Sequence, residues 1–519
     1  MNRVTALLRP ISLFSLLLLV TLNSKVASGQ DNPPNFLFII TDDQSFETLG
    51  HLKQLDIETP NLDRLARRGT SFSHCYNMGS WSGAVCVASR TMLNTGRFLW
   101  NANAIQKQLG KEHQQRRLWS DILNDAGYQT YMTGKWHVAI DAKKIFDVAK
   151  NVRPGMPKQT PEGYNRPPLT GEDPWQPWDK SRGGFWEGGT HWSEIVANDA
   201  IEFINQAEQH GAPSFMYVAF NAPHDPRQAP KEFVDRYPLS RISIPENFLP
   251  EYPFKDAMGC SPSLRDEKLA LFPRTHLGIQ VHRQEYFACI THLDQQIGKI
   301  LDRLQTSNMA KNTWIILTSD HGLAVGRHGL VGKQNMYDHS VRVPFIIVGP
   351  NARAGVTISD PIYLQDVVPT TIELAGISMP SHIQFKSLIP KLTEQRSEPQ
   401  HLPIIGAYLN KQRMIFDGQY KLIVYPEVPT LRLYDLEEDP SEMTDLSKDP
   451  DSAGTIQTLL QKLVHWQTEN NDPLALRDVF PIQSSNRKSS QHSSLRFQID
   501  NHPPASGPLW TRLQWSVRR

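Results

Sequence analysis

The stretch NFLFIITDD, residues 35–43, joins an unbroken apolar run to two aspartates. A strand half exposed to water would alternate apolar and polar side chains; residues 36–40 do not, so the run predicts a strand buried on both faces. Such strands belong to parallel sheets covered by helices, and helices should therefore alternate with strands along the chain. They do. TPNLDRLARRG, residues 59–69, predicts a helix with Thr59 at its cap, Pro60 at its first position and Gly69 at its end. A helix over 118–126 and a strand over 128–133 follow, then a helix over 193–206 and a buried strand over 214–220. Apolar residues at Tyr286, Phe287, Ile290, Leu293, Ile297, Ile300, Leu301 and Leu304 fall on one helical face. Strands over 313–318 and 343–348 complete an expected α/β fold: a large, mostly parallel or mixed sheet flanked by helices.

From about residue 385 the pattern changes to short strand candidates over 403–407, 413–416, 420–424 and 432–434, with a helix near 455–469. The expected organisation is a catalytic α/β unit over 31–385 and a smaller α+β unit, an antiparallel sheet with a helix, over 386–483. A tail over 484–519, rich in Ser, Arg and Pro, is expected to be disordered. Residues 1–30 read as a secretory signal: Arg3 and Arg9 precede an apolar run over 11–22, and Val26 to Gly29 offer small residues for cleavage. The run is short for a bilayer span, so the expected mature chain is secreted or periplasmic, with no stable membrane insertion.

Lys and Arg total 54 against 53 Asp and Glu, so no global field points to nucleic acid or an anionic membrane, and an anion site must be built locally. The four cysteines, Cys75, Cys86, Cys260 and Cys289, match no dense disulfide scaffold and no zinc spacing. Two bridges among them are arithmetically open; with Cys86 withdrawn for chemistry, at most one remains.

In open α/β sheets ligands gather where strands end. Here those ends are polar: Asp42 and Asp43 after the first strand, Asp320 and His321 after the strand over 313–318, Asn221 to His224 after the strand over 214–220, and Lys135 and His137 in GKWH. Adjacent carboxylates repel unless a cation lies between them, and an oxygen-rich group suits Ca²⁺ or Mg²⁺ better than zinc. Two aspartates after one strand could simply close a turn; a second acidic strand end favours a metal. SGAVCVASRT, residues 82–91, adds one cysteine that is a core thiol, half of a disulfide, or the precursor of a catalytic group.

Taken in order, FLFIITDDQ, TPNLDRLARRG, CVASRTMLNTGR, GKWH, NAPH, TSDHG, GKQNMYDHSVRVP and LYDLEEDPSEMTDL resemble the type I, formylglycine-dependent sulfatases of the alkaline phosphatase-like superfamily. The resemblance implies that Cys86 is oxidised after translation to formylglycine. One hydroxyl of its hydrate, bound to Ca²⁺ (or Mg²⁺), attacks a sulfate ester; the second expels sulfate from the covalent sulfo-enzyme. The family signature has proline where this chain has Ala88, which bears on the formylglycine-generating maturase that acts as partner. Asp42, Asp43, Asp320 and His321 resemble the metal ligands, together with the modified Cys86, and Arg90 the cation that holds the formylglycine oxygen.

Lys135 and His137 resemble the pair that contacts sulfate and orients the diol, His137 being the candidate base; His224 and Lys333 resemble the leaving-group side. Ser89 belongs to the maturation signal and helix start, and His328 and His339 carry no assigned role. Hydrolysis of a sulfated carbohydrate or other small organic sulfate is expected. The alternatives are a phosphodiester or phosphonate monoester hydrolase of the same superfamily, and a noncatalytic carbohydrate-binding relative. Four tryptophans over 175–192 offer either a sugar-binding wall or a surface excursion pinned to the core.

Overall fold

The structure, a computed structural model, describes residues 33–393 and 401–480. The leader expected over 1–30 and the tail expected over 484–519 lie outside the described residues. Among the described residues no helix is long and apolar enough to cross a membrane.

Residues 35–41 form the strand expected of them, and because both of its faces are buried residues 36–40 are all apolar. Phe36, Phe38 and Ile40 enter one core, with Trp119, Leu123, Val368 and Ile372. Leu37 and Ile39 enter the opposite core, with Val196, Phe203, Leu293 and Ile297. Each fully buried side chain of this kind contributes about 1.5–3 kcal/mol relative to exposure. In spatial order the main sheet runs Val356–Ile358, Thr70–Phe72, Phe345–Val348, Thr313–Ser319, Asn35–Thr41, Ser214–Ala219, Gln129–Lys135 and Val148–Arg153. The Phe345–Val348 strand is antiparallel to both its neighbours and the other pairings are parallel, so the sheet is mixed.

Two expectations shift in detail. The run over 343–348 splits at Pro344, which has no N–H to give a ladder: Arg342–Val343 joins a small three-stranded sheet and Phe345–Val348 the main one. Thr59 precedes the helix Pro60–Arg68 but does not cap it. Its hydroxyl donates to Asp63 Oδ1 at 3.0 Å, while the amides of Asn61 and Leu62 donate to Asp294 Oδ1 at 3.1 and 2.8 Å. Asp294 belongs to the long helix His276–Gln305, so one helix caps another.

A five-stranded sheet is built from Thr430–Asp435, Tyr420–Tyr425, Gln412–Phe416, Ile404–Tyr408 and Gly79–Ser80. The last of these comes from the N-terminal part of the chain and pairs in parallel with Ile404–Tyr408. Between the two sheets lies the helix Val85–Thr95. Its Leu93 packs in the core on one face of the main sheet, and its Val85, Ala88 and Met92 pack with Ile404, Met414 and Ile423 of the small one. All four cysteines are buried and unbonded, so neither bridge left open by the sequence forms.

Candidate active site

The strands Thr313–Ser319, Asn35–Thr41, Ser214–Ala219 and Gln129–Lys135 are consecutive neighbours and parallel, so their carboxyl ends open at one edge. That edge receives Asp320 and His321, Asp42 and Asp43, the turn from Asn221 to His224, and Lys135 with His137. Asp43 and His137 turn the chain with positive φ of 69° and 56°, a conformation that Asp and His tolerate better than branched residues. Gly134, at φ 87°, lets Lys135 reach the edge: a Cβ there would lie 1.8 Å from the carbonyl oxygen of Ala219.

Cys86 arrives as the second residue of the helix Val85–Thr95, whose N-terminus no side chain caps. Its first-turn amides carry the positive end of the helix dipole. One turn on, Arg90 lies on the same face and is fully buried.

The side chains converge. One ligand atom from each of Asp42, Asp43, Cys86 and Asp320 lies within 4.8 Å of all the others. The Cys86 thiol is 3.3 Å from Asp42 Oδ1 and 3.3 Å from Lys333 Nζ. Each carboxylate has a cation: Lys135 pairs with Asp42, Lys333 Nζ reaches Asp43 at 2.6 Å, and Arg90 Nε donates to Asp320 Oδ2 at 2.8 Å. Arg90 also donates to the carbonyl of Lys135 at 2.6 Å, which ties helix to strand. His224 Nε2 lies 3.6 Å from Asp43 Oδ2. His321 stands outside the four-residue group; its Nδ1 is 3.1 Å from the carbonyl of Gly322.

Burial and crowded negative charge set the electrostatics. Burial, then Asp320 and Asp42, push the Cys86 thiol well above its ordinary range, so it stays protonated. Burial and Asp320 raise Asp42. For Asp320 burial acts upward, but Arg90, Lys135 and Lys333 outweigh it and hold the carboxyl below the usual range. Burial acts downward on Lys333, and Asp43 with the neighbouring acids raises it instead, so the ammonium is charged. Burial and then Lys135 and Arg90 lower His137 to about 3, leaving a neutral ring.

Buried polar atoms at this edge that lack hydrogen-bond partners include Arg90 Nη2, His137 Nδ1, Asn221 Oδ1 and His321 Nε2. Oxygen-rich carboxylates beside these orphaned groups suit a hard cation and an anion, which the unmodified thiol, a soft and protonated ligand, serves poorly.

Sequence reasoning missed the layer behind these residues. The Asp225 carboxylate lies 3.1 Å from His224 Nδ1 and pairs with Arg265, which pairs in turn with Asp266. Asp225 follows NAPH directly and could have been singled out there. Arg265 and Asp266 sit in no recognisable motif. In the tryptophan segment Trp175, Trp186 and Trp192 are buried, and Trp186 and Trp192 donate to the carbonyls of Pro177 and Glu187. His328 and His339 are buried beside Tyr337, with 3.3 Å between ring nitrogens.

The sulfatase family profile matches residues 34–377. The chain belongs to the sulfatase family. A second profile, the C-terminal region of N-sulphoglucosamine sulphohydrolase, matches residues 326–469 of this sulfatase. The chain is 25% identical to an N-acetylglucosamine-6-O-sulfatase from Bacteroides thetaiotaomicron over 85% of its own length and 88% of the relative's. Among solved structures, one in complex with its substrate D-glucosamine-2-N,6-O-disulfate superposes with a TM-score of 0.67 at 23% identity, covering 85% of this chain and 99% of that one. A phosphonate monoester hydrolase from Silicibacter pomeroyi superposes with a TM-score of 0.66 at 19% identity, covering 84% of this chain and 96% of that one. These two likenesses are of fold, that of the alkaline phosphatase-like superfamily. As a sulfatase the protein is a sulfuric ester hydrolase, and membership of the family generally implies a metal ion and a formylglycine.

Proposed function

We propose that the protein hydrolyses a sulfate ester of a carbohydrate with Cys86, oxidised to formylglycine, as nucleophile. The observation that carries this is the position of Cys86: its sulfur lies 3.3 Å from both a carboxylate of the acidic group and the Lys333 ammonium, at an uncapped helix N-terminus. A thiol raised this far is neither a thiolate nucleophile nor a good ligand for a hard ion. Oxidation to the aldehyde supplies, on hydration, two hydroxyls at that point.

Asp42, Asp43 and Asp320, with His321 at their margin and the oxidised residue 86, would hold Ca²⁺ (Mg²⁺ is the other hard candidate). When bound, such a cation supplies charge that offsets the carboxylates and lets an adjacent oxygen lose its proton more easily. The chain's own residues do the rest. Lys333 places an ammonium head 3.3 Å from residue 86 and Lys135 one on Asp42 beside it, where the sulfate oxygens gather charge. Arg90 fixes Asp320 and keeps that carboxylate ionised. His137 Nδ1, neutral and unpartnered, can accept a proton from the second hydroxyl. His224 Nε2 can give one to the departing alcohol, on the side that Lys333 shares.

Within this reading residues 31–385 form the catalytic unit and 386–483 the appended sheet and helix. A leader over 1–30 directs the chain to the periplasm or outside the cell, where a maturase-modified cysteine and a free carbohydrate substrate are compatible. The relative that acts on N-acetylglucosamine 6-O-sulfate supports a sulfated sugar as the substrate.

The decisive experiment is mass spectrometry of the Cys86 peptide from protein made in its native host. An aldehyde or its hydrate is the expected species; a fully retained thiol removes the nucleophile. The fold shared with a phosphonate monoester hydrolase supports one second reading, attack at phosphorus. Parallel assays on aryl sulfate, aryl phosphate diester and phosphonate monoester decide it, with the sulfate expected to be preferred.

A further inference from the structure

Behind His224 lies a chain of buried charge that the reaction as proposed does not use. His224 Nδ1 donates to the backbone carbonyl of Asp225 at 2.9 Å, and the carboxylate Oδ1 of the same residue lies 3.1 Å from it as an ion-pair partner. With that carbonyl as acceptor and the carboxylate beside it, Nδ1 carries a proton and Nε2 is the nitrogen turned to the site, 3.6 Å from Asp43. Asp225 is buried and does not reach the acidic group at residue 86 itself. Its second carboxylate oxygen is held by Arg265, and the other fork of that guanidinium holds Asp266. Asp266 Oδ2 accepts from Gln334 Nε2 at 2.7 Å, and Gln334 Oε1 accepts from the backbone N–H of Lys333 at 3.1 Å. The two residues placed on the leaving-group side, His224 and Lys333, are thus the two ends of one relay: Asp225, Arg265, Asp266, Gln334.

We propose that Asp225 is a positioning residue for proton donation to the leaving group, acting through His224, with Arg265 holding the far oxygen of its carboxylate. This deepens the proposed function and rests on its assignment of His224. As the sulfur–oxygen bond breaks, its electron pair stays on the leaving oxygen. That oxygen takes the proton from His224 Nε2, whose N–H electrons return to the ring, and the proton on Nδ1 stays between the two Asp225 oxygens. The water consumed in hydrolysis restores the proton to Nε2. The contribution of such a positioned acid grows as the leaving group becomes more basic, because a poorer leaving oxygen depends more on the proton.

The test is a comparison of 4-nitrophenyl sulfate with phenyl sulfate, whose leaving phenol is far less acidic, on the mature full-length enzyme. Asp225→Asn should lower kcat on phenyl sulfate by on the order of 100-fold and on 4-nitrophenyl sulfate by less than about 10-fold, with KM little changed. His224→Ala should show the same asymmetry, and the double variant should be no worse than His224→Ala alone. Asp266→Asn removes a charge from the same Arg265 without touching His224, so it should disturb stability comparably yet leave the ratio of the two substrates as in the parent. Equal losses on both substrates for Asp225→Asn, full additivity with His224→Ala, or the same asymmetry in Asp266→Asn would each overturn the role of Asp225. A His224→Ala variant with no asymmetry would overturn the assignment of His224 first, and the inference with it. Thermal unfolding of each variant identifies any that do not fold; if Asp225→Asn is among them, Asp225→Glu, which keeps the charge and shifts its reach, must still change the ratio.

Discussion

At the scale of single residues, position 86 asks for different chemistry from what its codon supplies. Three carboxylates, two ammonium groups and a guanidinium surround a sulfur that burial keeps protonated. Cys86→Ala should therefore cost at least about 10⁴-fold in turnover. The change removes one small buried atom, so the thermal midpoint should move by no more than a few degrees; turnover retained at the parental rate would place the chemistry elsewhere. Dialysis against a chelator should lower both activity and the thermal midpoint, and Ca²⁺ should restore both, since a ligand that binds only the folded state stabilises it. An unchanged midpoint would mean that the acidic group holds no ion. Asp42, Asp43 and Asp320 were legible in the sequence because each follows an apolar strand, where chain order and space coincide, whereas Arg90 and Lys333 were reached through the family resemblance. Asp225 to Arg265 was not legible: forty positions separate the partners, and only the folded chain closes the pair.

Elements place these residues through a few backbone features that composition does not show. Gly134 lies at the point where pairing with Val148–Arg153 slips between Thr133 and Gly134, at φ 87° and against the carbonyl of Ala219. Gly134→Ala forces a side chain onto a neighbouring backbone and into the left-handed region. It should cost about 2–4 kcal/mol, read by chemical denaturation, and should impair kcat through the misplaced Lys135. The helix Pro60–Arg68 teaches the limit of local reading. Its start and end were evident from Pro60 and Gly69, but its cap is Asp294, 233 positions from Asn61. Asp294→Ala should destabilise the protein by about 1–2 kcal/mol, whereas Thr59→Val should act through the lost Asp63 and Gly50 contacts and not through the helix amides. Strand runs such as residues 36–40 were legible because burial on both faces leaves no polar residue between Asn35 and Thr41. The edge strand Val148–Arg153, only partly buried and rich in polar residues, carries no such mark.

For the whole molecule the question is what holds the small sheet against the site-bearing part, since the helix of Cys86 is gripped between them. Lys421, on the Tyr420–Tyr425 strand, is fully buried and lies 2.7 Å from Asp338 and 2.7 Å from Glu442; Asp338 sits five residues beyond Lys333. Around it Tyr252, Tyr337, Tyr425 and Tyr434 are joined through their hydroxyls at 2.8–3.0 Å. Removing a buried cation from two carboxylates leaves uncompensated charge, so Lys421→Met should destabilise the protein by about 3–5 kcal/mol near neutral pH. The pH dependence has a definite sign. Burial, opposed by Lys421, pushes Glu442 up to about 7 from an ordinary 4.5. A carboxyl raised in the folded state favours folding where it is protonated, so its contribution is present at low pH and is lost as pH rises from about 4.5 toward 7. Without Lys421 the carboxyl rises further and the window widens upward. The gap in stability between Lys421→Met and the parent should therefore narrow as pH falls from 8 to 5, measured by denaturation at each pH. A gap that stayed constant or widened on acidification would show that Lys421 acts by packing its methylenes and not by balancing the two acids.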